Sequence, residues 1–207
     1  SDLGTGAYFL GARFYADAQT LIIPNTGNSA DVRVSIDGGK TWRTQAFAAS
    51  IGGFPTLVIG KDKAIWRVSA SAIYKSTDLG ASEKQVLDLG APSYKGRVAL
   101  TLLADGIAVV QRRMLDDVNG TVTSGWFRSR DGGATWQTLV PQGLPADGYG
   151  QTRELVSTVR GSYGDVSLAG DQSNTGSLLL ATTAGLYRSV DAADHWVRVD
   201  NASRLTW

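Results

Sequence analysis

One short phrase recurs along the chain and constrains its fold more than any other feature. Ser35-Ile36-Asp37-Gly38-Gly39-Lys40-Thr41-Trp42 is matched by Ser129-Arg130-Asp131-Gly132-Gly133-Ala134-Thr135-Trp136. A looser copy is Ser189-Val190-Asp191-Ala192-Ala193-Asp194-His195-Trp196. A worn one is Ser76-Thr77-Asp78-Leu79-Gly80-Ala81-Ser82-Glu83, where Glu83 stands at the Trp position. The aspartates are spaced 41, 53 and 60 residues apart. A period of about 50 residues with variable connections signals a repeat architecture.

Each phrase has a local physical sense. Ser and Asp two residues apart share one face of a strand end, and an Asp side chain there accepts from backbone amides ahead of it. The Gly-Gly pair supplies the positive φ values of a tight hairpin. Trp, five residues after the Asp in three copies, returns along the next strand as a large apolar plug. The phrase is therefore a hairpin that pins itself to its sheet. Its residues are assigned structural roles: Ser35, Asp37, Gly39 and Trp42; Ser76, Asp78 and Gly80; Ser129, Asp131, Gly133 and Trp136; Ser189, Asp191 and Trp196.

Short β-favouring runs flank every phrase, and no segment sustains a 3.6-residue apolar period, so little helix is expected. The third unit is the clearest. Residues 97–103, 107–117, 121–129 and 134–140 alternate with the turn signals Asp105-Gly106, Asn119-Gly120 and Asp131-Gly132-Gly133, which makes a four-strand meander. Residues 56–59, 64–68, 72–76 and 83–87 form the second unit. Residues 177–182, 185–189 and 195–199 form most of the last, and 8–47 supply the first. The expected fold is all-β: a β-propeller of four-stranded antiparallel blades at about 7–47, 54–89, 96–140 and 154–199, in one domain over 1–207.

The phrases resemble the Asp-box, or bacterial neuraminidase repeat, S-x-D-x-G-x-T-W. The likeness spans all four units, and two copies match it fully. It implies that each box lies between the third and fourth strands of a blade, at the propeller's periphery. The family includes sialidases, xyloglucan-cleaving glycosidases, sortilin-like receptors and photosystem II assembly-factor-like proteins. Enzymes and non-enzymes share the fold, which by itself does not choose between them. Four units describe either a small closed ring or part of a larger one. Residues 201–207 read as the start of a further strand, and Ser1-Asp2-Leu3-Gly4 echoes Ser76-Thr77-Asp78-Leu79-Gly80. Together with the missing initial Met, these favour an excised part of a longer chain.

Composition removes several function classes. Twenty basic against 19 acidic residues give a net charge of +1, which offers no field for nucleic acid or anionic lipid. No stretch approaches the roughly 20 apolar residues of a membrane span. With no Cys and a single His, thiolate sites, disulfides and multi-histidine zinc sites are excluded. No phosphate-binding glycine loop is present, and neither cofactor nor metal is expected. Asp116-Asp117-Val118-Asn119-Gly120 places its Gly too early for an EF-type loop and reads as a hairpin. The absence of Cys, the lone Met114 and the export of many relatives point to a bacterial extracellular or periplasmic setting.

The likeness to sialidases implies three arginines for a substrate carboxylate, an acid/base Asp and a Tyr activated by a Glu. The chain has 14 Arg but no Arg-Ile-Pro signature, and only two Glu. Glu83 falls inside a worn phrase, so Glu154 is the one free candidate, with Tyr149 or Tyr163 as partner and Arg153 and Arg160 nearby. A surface ion pair is the simpler account of Glu154. A glycosidase using two of the 17 Asp stays open, but at least four serve the turns and no others stand in a diagnostic frame. His195 replaces Thr beside Trp196, which marks a structural substitution rather than a triad base. No catalytic residue is assigned.

The longest connection runs over 141–176. It carries Gly143, Gly148, Gly150, Gly161 and Gly164, with Tyr149, Arg153, Glu154 and Tyr163 as binding candidates. Long loops on rigid scaffolds carry function, and tyrosines between glycines give amphipathic contact area. Residues 154–159 also suit the first strand of blade four, which would split the connection into two shorter loops. Arg112 and Arg113 point to opposite faces of a strand and form no patch. The expected role is a non-catalytic, exported module presenting loops to a protein or glycan partner. The remaining blades of a longer chain, or a second copy, are further partners. The alternatives are a fragment of a sialidase-like or xyloglucanase-like glycoside hydrolase and a plain structural spacer.

Overall fold

The structure is a computed structural model. It describes residues 15–24, 31–47, 56–69, 71–90, 97–115, 122–144, 168–170, 173, 175–182 and 185–199. These residues form four antiparallel four-stranded sheets, and no helix occurs among them. The first sheet is β1 (Tyr15–Ala16), β2 (Leu21–Pro24), β3 (Val32–Ser35) and β4 (Arg43–Gln45). The second is β5 (Thr56–Ile59), β6 (Ile65–Val68), β7 (Ala72–Ser76) and β8 (Lys84–Asp88). The third is β9 (Arg97–Leu102), β10 (Ala108–Leu115), β11 (Val122–Ser129) and β12 (Gln137–Leu139). The fourth is β13 (Leu168–Gly170), β14 (Leu178–Thr182), β15 (Gly185–Ser189) and β16 (Val197–Arg198). Every sheet is a meander with its strands in chain order.

The chain divides into two compact units, residues 1–90 and 91–207. In the first, period-two alternation buries Val32 and Val34 on one face of β3, where Ile22 joins them against Ile59 and Ile65 of the second sheet. Strand β6 is buried on both faces, and a register shift between Ile73 and Tyr74 bends β7 against β8. In the second unit, Val109, Trp126 and Leu139 of the third sheet pack on Leu178, Leu180, Tyr187 and Trp196 of the fourth. The Trp126 and Trp196 rings lie 5.6 Å apart, tilted by 51°. Each such side chain contributes about 1.5–3 kcal/mol by leaving water.

One strand differs from expectation. The first strand of the fourth sheet is Leu168–Gly170, whereas the β-rich stretch 154–159 lies outside the described residues. Leu168 pairs with Leu180 and Gly170 with Leu178 across a short connection. Chain proximity thus selects the partner of β14, since neighbouring strands join most readily through short loops.

The four hairpins between third and fourth strands share one hydrogen-bond pattern. The Ser hydroxyl donates to the Asp Oδ1 at 2.7–2.8 Å in every copy. The same Ser oxygen accepts the amide of Gly39, Gly80, Gly133 or Ala193 at 2.8–3.0 Å. Oδ1 also accepts, at 2.9 Å, the amide of Thr41, Ser82, Thr135 or His195. Oδ2 accepts the hydroxyl of Thr41, Ser82 or Thr135 at 2.6 Å, and His195 Nδ1 lies 2.7 Å from it in the fourth hairpin. The two residues after each Asp have φ between 58° and 91°, whether Gly-Gly, Leu79-Gly80 or Ala192-Ala193. The Trp side chain does more than plug. Trp42 and Trp196 donate their indole N–H to Gly39 and Ala193 carbonyls, and while Trp196 is buried, Trp42 and Trp136 are half-buried.

These donors hold the carboxylates ionised. The Thr41, Ser82 and Thr135 hydroxyls and amides keep Asp37, Asp78 and Asp131 at a pKa of about 2. For Asp191 burial opposes the charge, but the His195 amide and ring outweigh it and the value is again about 2. A carboxylate depressed on folding adds stability that is full above its unfolded value, about 4, and is lost as pH falls through the folded value. Thermal midpoints followed by circular dichroism should stay level from pH 7 to about 5 and fall between about 4 and 2. A midpoint unchanged down to pH 2 would show that the hairpin carboxylates do not carry the fold.

Candidate functional site

Tyr149, Arg153, Glu154 and Tyr163 all fall within 145–167, outside the described residues. What the structure describes is how the connection holding them is mounted. At its start, the Gln142 amide donates to the Asp194 carbonyl and the Trp196 amide donates to Gln142 O, both at 2.9 Å. Gly143 follows with φ +82°, and a Cβ there would stand 2.1 Å from Trp196 O. Near its end, Gly176 O accepts the Ala192 amide at 3.0 Å, and a Cβ on Gly176 would stand 2.2 Å from Val190 O. The fourth hairpin thus holds the chain at Gln142 and Gly143, just before residues 145–167, and again at Gly176, between β13 and β14. Two glycines are required there because backbone approaches backbone, a demand distinct from turn geometry.

Two buried arginines organise the charge. Arg67, on β6, is 1% exposed and forks onto Glu83: Nε donates to Oε2 at 2.9 Å and Nη2 donates to Oε1. Its guanidinium also lies 4.7 Å from the Tyr74 ring centroid and 5.5 Å from that of Phe47. Glu83 therefore takes the Trp position of the second hairpin in order to neutralise Arg67, a structural use that removes it as a catalytic acid. Arg128, on β11, is 6% exposed and reaches the fourth hairpin. Its Nη1 donates to the Asp191 and Ala192 carbonyls at 3.3 and 3.1 Å and to Asp194 Oδ2 at 2.6 Å. All three bonds leave the same nitrogen, while Nη2 donates to Gln137 Oε1 at 3.5 Å.

His195 stands beside Asp191, 72% exposed, and replaces a hydroxyl donor, in keeping with a structural substitution. Arg112 and Arg113 are successive residues of β10. Among the described residues no group of three or more His, Cys, Asp or Glu side chains forms a metal site, and no helix is long and apolar enough to cross a membrane. The turn read at 116–120 lies outside the described residues. Arg67 and Arg128 were missed in the sequence. The signal for each was a charge at a core position, Arg67 within Ile65-Trp66-Arg67-Val68 and Arg128 directly before Ser129. Gln111 is also fully buried, with neither amide atom hydrogen-bonded.

Two expectations test these mounts. Glu83→Ala leaves the Arg67 charge buried without its carboxylate and should cost about 3–5 kcal/mol in urea unfolding. The apolar pair Arg67→Met with Glu83→Leu should recover most of that loss. Gly143→Ala should lower stability by more than about 2 kcal/mol, because a methyl group cannot share the space of a carbonyl oxygen. A loss within error for either single substitution would show that the mount is not rigid.

No protein-family model matches the chain, and no curated protein matches it in sequence. Solved structures do match. An ancestral GH74 enzyme superposes with a TM-score of 0.55 at 18% identity, over 97% of this chain and 25% of that one. The GH74 xyloglucanase from Xanthomonas campestris gives a TM-score of 0.54 at 16% identity, over 86% of this chain and 27% of its own. YCF48 bound to a D1 peptide gives 0.42 at 17% identity, over 88% of this chain and 79% of that one, which is too loose to bear on function. The chain spans about a quarter of the length of these two GH74 structures. At such identities the likeness is one of fold: the chain is all-β, and its four-stranded antiparallel sheets are β-propeller blades.

Proposed function

We propose that the chain is a non-catalytic, exported binding and scaffold module. It presents residues 145–167 to a protein or carbohydrate partner, and its hairpins are Asp-boxes of the bacterial neuraminidase repeat. In this proposal the blades belong to one propeller, and Tyr149, Arg153, Glu154 and Tyr163 make the contacts. The observation that carries it is the anchor at Gln142 and Gly143: the fourth hairpin fixes the chain where the segment bearing these four residues begins. An anchor at the start of a contact segment lowers the ordering cost of binding. Tyrosine rings stack on sugar faces or apolar side chains, and a guanidinium bonds hydroxyls and carboxylates. The described acids support the same view, since Glu83 and the four hairpin aspartates are held by structural donors.

The alternative is one portion of a larger glycoside hydrolase, with Glu154 as a reacting carboxylate. Likeness to GH74 folds is compatible with both readings, because fold does not fix chemistry. Calorimetric titration with sialyllactose and xyloglucan oligosaccharides, alongside chromatography of the products, separates them. The expected result is binding without product release, kept in Glu154→Gln and weakened more than about tenfold in Tyr149→Ala or Tyr163→Ala. Product release that disappears in Glu154→Gln would replace the binding module with the hydrolase. Neither binding nor release would restrict the proposal to a protein partner.

A further inference from the structure

The buried face of the third sheet and the exposed face of the fourth are the same surface one repeat apart. Register defines the match. Val109 pairs with Arg128 and Leu179 with Arg188, while Gln137 and Val197 lie beside those arginines on the outer strands. Leu139 pairs with Trp126, and the Val199 amide likewise donates to the Leu186 carbonyl. In the third sheet Val109 and Leu139 are 0% and 7% exposed, because the fourth sheet covers them. Their counterparts Leu179 and Val199 are 42% and 49% exposed, Val197 is 67% exposed, and Arg188 is exposed as well.

The covered interface states what such a face accepts. Arg128 latches onto two hairpin carbonyls and onto Asp194, three residues past the hairpin Asp. In the first unit the residue at the place of Arg128 is Val34, which packs in one apolar cluster with Leu79, and the position of Asp194 is Ala81. The carboxylate stands at that position in the hairpin that receives Arg128, and not in the one beside Val34. Arg188, exposed at the place of Arg128, suits a hairpin with a carboxylate at that position. A second copy does not supply one at its first hairpin, where Lys40 would oppose Arg188.

We infer that the face formed by Leu179, Arg188, Val197 and Val199 seats a further blade on the same polypeptide. That blade carries a Ser-x-Asp hairpin with an acidic residue three positions past its Asp. Its apolar face covers the leucine and valines, and its hairpin carbonyls and carboxylate receive the Arg188 guanidinium.

The test appends a second copy of residues 140–199 directly after Val199, the counterpart of Leu139, so that the added blade brings the Asp194 hairpin. The extended chain should melt in one transition, more than about 5 °C above the 207-residue chain. Arg188→Ala should lower the midpoint of the extended chain and leave the shorter one unchanged. An equal effect in both chains, or none in either, overturns the inference. Folding of the extension is not the only arbiter. In the 207-residue chain a double-mutant cycle of Arg128→Ala and Asp194→Ala should show coupling, and its absence removes the latch on which the inference rests. Light scattering across concentration decides the remaining occupant. A monomer is expected, and a dimer split by Val197→Asp would make a second copy the occupant and overturn the further blade.

Discussion

Each hairpin rests on one aspartate whose two oxygens accept from the Ser hydroxyl and from the amide and side chain of the residue four positions on. The bonds close within a few residues, so the lock itself draws on no tertiary contact. That locality explains how the sequence at the turn can drift. Leu79, Ala192 and Ala193 hold positive φ, at a cost of about 1–2 kcal/mol each for an L-residue, because the carboxylate leaves the chain no other path. Ser82 and His195 replace Thr without changing the pattern of contacts to Asp78 and Asp191. The lock needs a donor at that position, and several side chains provide one.

Once the turns are fixed, the sheets differ mainly in how they fill the layer between them. The first unit uses aliphatic side chains from both sheets, and the second uses a pair of tryptophans. In each unit the later hairpin lies on the earlier sheet. Gly80 sits so close to Val32 and Gln45 that a Cβ there would meet Gln45 Cγ at 2.8 Å, and Ala192 lies under Arg128. Buried charge is handled in two ways. Arg67 is neutralised within its own sheet by Glu83 and flanked by rings, whereas Arg128 spends its donors across the gap to the next sheet. The first solution stabilises a blade. The second specifies which blade comes next, a role in which buried polar groups trade stability for register.

The range of each interaction governs what could be read in advance. Hairpins whose bonds span two to four residues were legible, including the worn copies, because Ser, Asp and a donor recur at fixed offsets. The strands beside them followed from alternation. Arg67 with Glu83, 16 residues apart, and Arg128 with Asp194, 66 apart, carry no local mark beyond a charge in an apolar run. Strand β13, Leu168–Gly170, is too short and small in its side chains to stand out by alternation, and the stretch 154–159 lies outside the described residues. Of the candidate site, Gly143 was named with other glycines of the connection and Gly176 was not, because nothing local separates a glycine pressed on a carbonyl from an ordinary loop glycine.

The fourth hairpin brings these strands together. By sequence it has both glycines and the threonine replaced, yet it receives partners from several other segments. Arg128 reaches its carbonyls and Asp194, Gln142 pairs alongside it, and Gly176 accepts its Ala192 amide. The two alanines explain how both facts hold. Their methyl groups are 1% and 0% exposed and belong to the core of the second unit. Burial of each methyl returns about 0.8 kcal/mol, which offsets much of the left-handed strain and also removes the glycine freedom that would soften the turn. A stiffened, buried hairpin holds its neighbours more firmly than a Gly-Gly turn does. The departure from the repeat is thus tied to position: this copy anchors the long connection and receives the preceding sheet's arginine, and its sequence follows those demands.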